Sequence, residues 1–355
     1  MPKHPGILII RFSAMGDVAM TAPVIKELAL HYPGVQLTVV SRQLFAPFFS
    51  GIPGLRFHPF QPKDKHKGFF GLLKLFMELR KLDITAVADL HNNLRSRILG
   101  LLFFLFGVKT IRVDKARAEK KELTRKVNKV LNALTPITER YALVFAKLGY
   151  PFRLSHQLAD QQPQQLTAAL TELTGNHQNK KWIGVSPFAQ HLQKVYPLPK
   201  MEKVLLQLAA LGHRLFVFGG GAQEEQIAAT WAGLHSNITS VIGKVNLEEE
   251  LALISNLDLM LSMDSSGMHL ASLKGIPVVS VWGATHPYAG FLGYGQSIGD
   301  AVQTDLYCRP CSVYGNIPCY RGDFACMNNL SETIVINTII NKLNHGQTTD
   351  HHQAR

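Results

Sequence analysis

The chain has 355 residues, 46% of them hydrophobic and 17% charged, which excludes a disordered polymer and leaves room for two folded domains. Its formal net charge of +12 is uneven: residues 1–150 hold 24 Lys and Arg against 10 Asp and Glu, and the remainder holds 13 against 15. Such a basic front half suits nucleic acid, an anionic membrane face or a phosphorylated substrate. The first ten residues have no secretory core or cleavage site, and the greasiest run, residues 98–108, is only 11 long. A spanning helix needs roughly 20. The expectation is a cytoplasmic protein whose membrane contact is peripheral.

In chain order, residues 7–12 read as a buried strand. Thr21-Ala22-Pro23 opens a helix, with Thr21 as N-cap and proline in the first turn, where it is tolerated. Strands at 35–41, 84–90 and 108–113 alternate with helices at 72–82 and 95–106. This alternation predicts βαβ units and a parallel sheet. Residues 154–180 turn polar and Gln-rich and read as a linker region with a helical stretch at 166–173. The pattern then restarts. Strands at 182–186, 214–218, 240–243, 257–263 and 277–282 alternate with helices at 201–211, 223–232, 248–255 and after Asp264. A last helix covers 331–343, and the tail after Gly346 is polar. The expected fold class is α/β, with two doubly wound halves facing a cleft and ligands at the carboxyl ends of the strands. The predicted domains are 1–155, a linker at 156–180, 181–330, a C-terminal helix at 331–345 and a tail at 346–355.

Asp264-Ser265-Ser266-Gly267-Met268-His269-Leu270-Ala271 is the most informative stretch. Small, hydroxyl-bearing and acidic residues at a strand-to-helix turn can surround an anion with N–H groups, hydroxyls and a helix N-terminus. His269 near the start of that helix reads as a residue that shapes the loop. Asp17, in the loop after the first strand, either takes a proton from an attacking hydroxyl or caps the next helix. Gly219-Gly220-Gly221 is not a GxGxxG turn. It either lets backbone approach a ligand, with Glu224 or Glu225 accepting from ribose hydroxyls, or is a tight turn alone. Ser186 and Lys194 follow the first strand of the second half, where Lys194 either neutralises a departing phosphate or is a solvated surface cation. Cys308, Cys311, Cys319 and Cys326 fall within 19 residues, a spacing that permits a structural zinc site, and four plain thiols fit as well. Basic residues crowd 63–67, including Lys63 and Lys65, and 109–129, including Lys120. No nucleic-acid signature accompanies them, which demotes nucleic acid as a partner.

Three segments together resemble glycosyltransferase family 9, the ADP-heptose:lipopolysaccharide heptosyltransferases. They are residues 7–18 with their Gly16-Asp17 loop, the Asp264–Ala271 stretch with Gly275-Ile276-Pro277-Val278-Val279, and Trp282-Gly283-Ala284-Thr285-His286-Pro287. The resemblance implies a GT-B fold, with the acceptor on the first domain and the nucleotide sugar on the second, and inverting transfer that needs no catalytic metal or cofactor. It implies Asp17 as general base and Lys194 as stabiliser of the diphosphate leaving group. Ser186, Gly220, Glu224, Asp264, Ser265, Ser266, Gly267 and His269 would bind the donor, an ADP-heptose. Asp89, Arg95, Lys63, Lys65 and Lys120 would line the acceptor side, where an anionic lipopolysaccharide-core acceptor is presented at the inner membrane face. A transferase for another sugar and acceptor is the same-class rival, and a non-catalytic nucleotide-sugar-binding protein is the other. A dehydrogenase lacks its GxGxxG turn here.

Overall fold

The computed structural model describes residues 5–177 and 180–350. Residues 178 and 179 of the expected linker and 351–355 of the expected tail lie outside the described residues. The chain forms two compact units, Met1–Ala116 with Thr135–His156, and Arg117–Leu134 with Gln157–Arg355.

The first unit opens with β1 (Gly6–Ile10), whose Gly-Ile-Leu-Ile-Ile sequence is apolar on both faces and buried throughout, as a central parallel strand requires. Two helices follow, α1 (Met15–Ala19) and α2 (Thr21–His31), then β2 (Gln36–Ser41), β3 (Leu55–Pro59) and α3 (Gly68–Leu79). Next come β4 (Ile84–Asp89), α4 (Leu94–Leu105) and β5 (Lys109–Arg112). Helix α4 starts on a capping box in which Asn93 accepts from Ser96 N–H and Ser96 accepts from Asn93 N–H. The sheet order is β3-β2-β1-β4-β5, all parallel. Leu72, Leu75, Phe76 and Leu79 of α3 join Leu99 and Phe103 of α4 over Leu8, Ile10, Val40 and Val87 of the sheet to form one core. The short α5 (Arg117–Leu123) belongs to the other unit, and the chain returns with α6 (Ile137–Leu148), which ends on Gly149 at φ +108°.

The second unit adds α7 (Ala168–Thr174), β6 (Trp182–Ser186), α8 (Leu198–Ala210), β7 (Arg214–Val217), α9 (Ala222–Leu234) and β8 (Ile238–Ser240). It continues through α10 (Leu247–Ile254), β9 (Leu259–Met263), α11 (Ser266–Leu273), β10 (Val278–Trp282) and β11 (Ala301–Gln303). It closes with α12 (Ala325–Asn328) and α13 (Glu332–Asp350). Its sheet order is β11-β10-β9-β6-β7-β8, again all parallel. The first strand of each unit, β1 or β6, therefore sits inside its sheet with later strands on both sides. The expected α/β, doubly wound parallel-sheet class is the one observed.

One division between the units falls between His156 and Gln157, and residues 117–134 pack with the second unit and not with the N-terminal stretch in which sequence order places them. Side-chain chemistry explains this. Lys129 Nζ donates to the carbonyls of Cys308 and Pro310, both at 2.7 Å, and Lys120 Nζ lies 4.3 Å from the Phe291 ring centroid. Leu134 N–H donates to Tyr288 O.

Arg309 anchors the segment after β10. Its buried guanidinium donates to the carbonyls of Trp282, Gly283, Thr285 and Thr304 and to Gln303 Oε1. Removing it leaves several buried acceptors without donors, each worth about 1–3 kcal/mol. Arg309→Leu is expected to destabilise the second unit by about 3–5 kcal/mol. Urea denaturation checks this, and an unchanged midpoint would show that the hub carries no stability.

Candidate functional site

In the first unit, β1 and β4 are paired neighbours that end together at Ile10 and Asp89. This is a topological switch point, where crossovers leave in opposite directions and open a crevice at the carboxyl edge. Arg11 follows β1 directly. Its Nη1 donates to Leu90 O at 2.8 Å and to Tyr141 Oη at 3.2 Å, and its Nη2 pairs with Asp17 Oδ2 at 2.5 Å. The guanidinium is buried, yet the Tyr141 hydroxyl and the carboxylates of Asp17 and Asp89 outweigh desolvation and raise its pKa. Asp17 keeps 34% of its side-chain surface exposed, so one face of the carboxylate is fixed by Arg11 and the other is open. The planar fork of arginine suits this positioning better than lysine would.

Asp89 has a different position from the expected one. It is fully buried, its Oδ1 accepts from His91 N–H and Asn92 N–H, and its Oδ2 accepts from Ser96 Oγ. Burial raises its pKa against those hydrogen bonds. Asp89 therefore builds the turn after β4 and does not face a ligand. Arg95 is exposed in the first turn of α4, and Lys63 is exposed in the 61–67 turn. Lys65 is committed to Glu78 at 2.8 Å. Lys120 is buried against Phe291 and Tyr314 of the second unit, which corrects its expected place on the acceptor domain.

In the second unit the switch point lies between β6 and β9, where Ser186 pairs with Ser262. Lys194 Nζ meets Asp264 Oδ2 at 2.9 Å, both largely buried. Ser265 Oγ lies 3.5 Å from Ser186 Oγ and 3.3 Å from Ser262 Oγ. Ser265 is the N-cap of α11, but its side chain does not cap the helix. The first N–H groups of α11, from Ser266 onward, thus meet no side-chain acceptor from the cap, and they carry the positive end of the helix dipole. Gly267 is needed here: a Cβ at this position would lie 2.4 Å from Ser186 Cβ and Oγ. The sequence-predicted residues Ser186, Lys194, Asp264, Ser265, Ser266 and Gly267 are brought together, with His269 buried one turn further along α11.

The Lys194 loop is held from behind. Gln193 O accepts from Ala284 N–H, and Gly315 leaves space for the Lys194 stem, since a Cβ there would lie 2.5 Å from Lys194 Cγ. Glu224 is already engaged, because its Oε2 accepts from Gly220 N–H at 2.8 Å. Glu225 lies against Gly243, whose Cβ would be 3.1 Å from Glu225 Oε1.

All four cysteines are free thiols. Among the described residues, the group of three metal-ligating atoms within 4.8 Å of one another is His58, His66 and Glu78. No three of the cysteine sulfurs meet that limit, so this arrangement does not close the tetrahedral zinc site that the spacing permits.

Arg11 and His91 are positioning residues to which sequence reading gave no role. The only signal for Arg11 is its place directly after a buried strand. His91 Nδ1 accepts from Phe12 N–H at 3.1 Å. Burial, then the positive charges of Arg11 and Lys115, push its pKa down to about 3. The unfolded chain takes up that proton below about pH 6.5 and the folded chain does not, so acid favours unfolding. The unfolding free energy is expected to fall as pH drops from about 6.5 toward 3, and His91→Gln is expected to flatten that slope. Denaturant titrations across pH test this, and equal slopes in both proteins would eliminate His91 as the cause.

A family model for glycosyltransferase family 9 (heptosyltransferase) matches residues 72–318. The lipopolysaccharide core heptosyltransferase OpsX of Haemophilus influenzae is 25% identical over 293 residues, covering 79% of this chain and 80% of that one. Among solved structures, a glycosyl transferase family 9 protein from Veillonella parvula superposes with a TM-score of 0.73 at 19% identity, covering 97% of this chain and 99% of that one. E. coli heptosyltransferase WaaC with ADP-2-deoxy-2-fluoro heptose gives 0.64 at 21%, covering 95% and 99%. These likenesses identify the fold as GT-B. The family model spans more than half of the chain, and the chain is therefore a member of glycosyltransferase family 9, an enzyme of the glycosyltransferase class.

Proposed function

We propose that this enzyme transfers heptose from ADP-heptose to an anionic lipopolysaccharide-core acceptor, with inversion at the anomeric carbon. One observation carries the reading. The uncapped N-terminus of α11, with Lys194 and Ser265 beside it, forms a cradle for a diphosphate at the switch point of the second sheet. The WaaC structure holds an ADP-heptose analogue, and OpsX is a lipopolysaccharide core heptosyltransferase. Both support the donor and acceptor chosen here.

In the proposed reaction an acceptor hydroxyl oxygen attacks the anomeric carbon as the bond from that carbon to the β-phosphate oxygen breaks. Asp17 takes the hydroxyl proton, its carboxylate oriented by Arg11. The departing ADP gains negative charge, which the α11 N–H groups and Lys194 stabilise. Asp264 holds the ammonium of Lys194 in place through the 2.9 Å ion pair. No metal or cofactor is assigned a step. Arg95 and Lys63 remain the exposed cations proposed for the acceptor. No helix among the described residues is long and apolar enough to cross a membrane. The proposed site of action is the cytoplasmic face of the inner membrane, where a lipid-linked acceptor is presented.

Asp17→Asn is expected to lower kcat by ~10²–10⁴ while leaving ADP affinity nearly unchanged. Unaltered turnover would end the general-base assignment. Lys194→Ala is expected to weaken ADP binding in calorimetry and to slow transfer as well, and no change in either would return Lys194 to the status of a surface cation. Assays with ADP-, UDP- and GDP-sugars test the donor, and a preference for UDP- or GDP-sugars would overturn the choice of ADP-heptose.

A further inference from the structure

Helices α3 and α4 lie side by side on one face of the first sheet, and their inward residues share one core. Their outward ridges are also apolar. On α3, Phe70 and Met77 are exposed with Leu73 half-buried between them, a spacing that puts all three on one stripe. On α4, Leu101, Phe104 and Leu105 are exposed on the corresponding outer side. Phe70 is 83% exposed and Leu105 69%. Large side chains in a contiguous exposed group mark an interaction surface, whereas scattered ones do not.

The charges around these ridges are predominantly basic, with Asp64 and Asp83 the exposed exceptions. Lys67 precedes α3, Lys74 flanks its stripe and Lys81 follows it, while Arg97 lies on α4 and Lys109 opens β5 after it, all exposed. Residues 61–112 contain ten Lys and Arg against four Asp and Glu, and of these four Asp89 is buried and Glu78 is already ion-paired.

The 61–67 turn is also fixed in place. His58 Nε2 and His66 Nε2 both meet Glu78 Oε2 at 3.2 Å, and Lys65 holds Oε1. This trio is not a metal site. Gln61 N–H donates to His66 Nδ1, so the proton of neutral His66 sits on Nε2, the atom a metal would need bare. The cluster instead ties the lysine-bearing turn to α3.

We infer that the outer face of α3 and α4 is a docking surface for an anionic lipid bilayer, with the apolar ridges entering the interface and the lysines meeting headgroups. A second copy of the chain is a poorer occupant. A two-fold contact through this face would set its lysines against their own copies. Anionic lipid neutralises them, and each basic residue near such a surface adds attraction. This inference goes beyond the transfer reaction and depends only on the surface.

The test is flotation of the full chain with vesicles of phosphatidylcholine alone and of phosphatidylcholine mixed with phosphatidylglycerol. The wild type is expected to float with the mixed vesicles, less so at high salt, and not with phosphatidylcholine alone. Phe70→Ser combined with Phe104→Ser is expected to lower the partition coefficient by ~10-fold or more. Lys67→Glu with Lys74→Glu is expected to lower it comparably and to weaken its salt dependence, whereas Leu234→Ser on α9 leaves it unchanged. Thermal melts confirm that the variants fold. Transfer to a water-soluble acceptor fragment, which should persist in all of them, separates loss of docking from failure of the proposed reaction. The inference is overturned if the wild type ignores anionic vesicles or if the Phe pair changes nothing. It is also overturned if sedimentation velocity shows self-association through this face, abolished by the Phe pair, in place of vesicle binding.

Discussion

The organising constraint in both units is the all-parallel sheet whose first strand lies inside it. Parallel strands require crossovers, and crossovers from an interior strand leave on opposite sides. At that strand's carboxyl end the backbone groups have no neighbour element to cover them. Helix α1, which follows β1, supplies Asp17 in its first turn, and the loops after β6 and β9 supply Lys194 and the α11 cradle. In the second unit this geometry tolerates almost no bulk, because α11 comes so close to Ser186 that only glycine fits at 267.

Two buried arginines turn these open ends into fixed shapes. A guanidinium offers five N–H donors in one plane, so it can gather carbonyls from several strand ends at once. Arg11 does so for the Leu90 carbonyl, the Tyr141 hydroxyl and the Asp17 carboxylate. Arg309 does so for the backbone after β10, and Ala284 of that segment donates to Gln193, next to Lys194. The cysteine-rich loop therefore contributes to the site through Arg309 and Gly315.

Residues whose local pattern determines their state were legible in the sequence. The apolar-dominated, fully buried runs of β1, β6, β9 and β10 read as interior strands, and the Asp264–Ala271 stretch announces a strand-to-helix turn. The edge strand β3, Leu-Arg-Phe-His-Pro, was missed because it is short, half-buried and interrupted by polar residues. The allegiance of residues 117–134 was not legible either. It is decided by hydrogen bonds from Lys129 to partners 179 and 181 residues away, which no window of sequence contains. Asp89 was misread for a related reason. A carboxylate after a strand looks the same in sequence whether it faces a ligand or ties down the Asn92 turn at φ +51°.

The basic character of the front half follows the same division. Its surplus of Lys and Arg looks uniform in a count, but the folded chain puts these residues to two uses. Arg11, Lys120 and Lys129 are drawn inward to carbonyls, rings or a carboxylate, where a cation serves as a multi-donor strut and contributes little to the outer field. Lys67, Lys74 and Lys81 stand in solvent beside exposed Phe and Met side chains, an arrangement that marks an interaction surface. Net charge alone could not separate the two sets. Their hydrogen-bond partners can, and only the second set is able to bias how the molecule meets a charged surface.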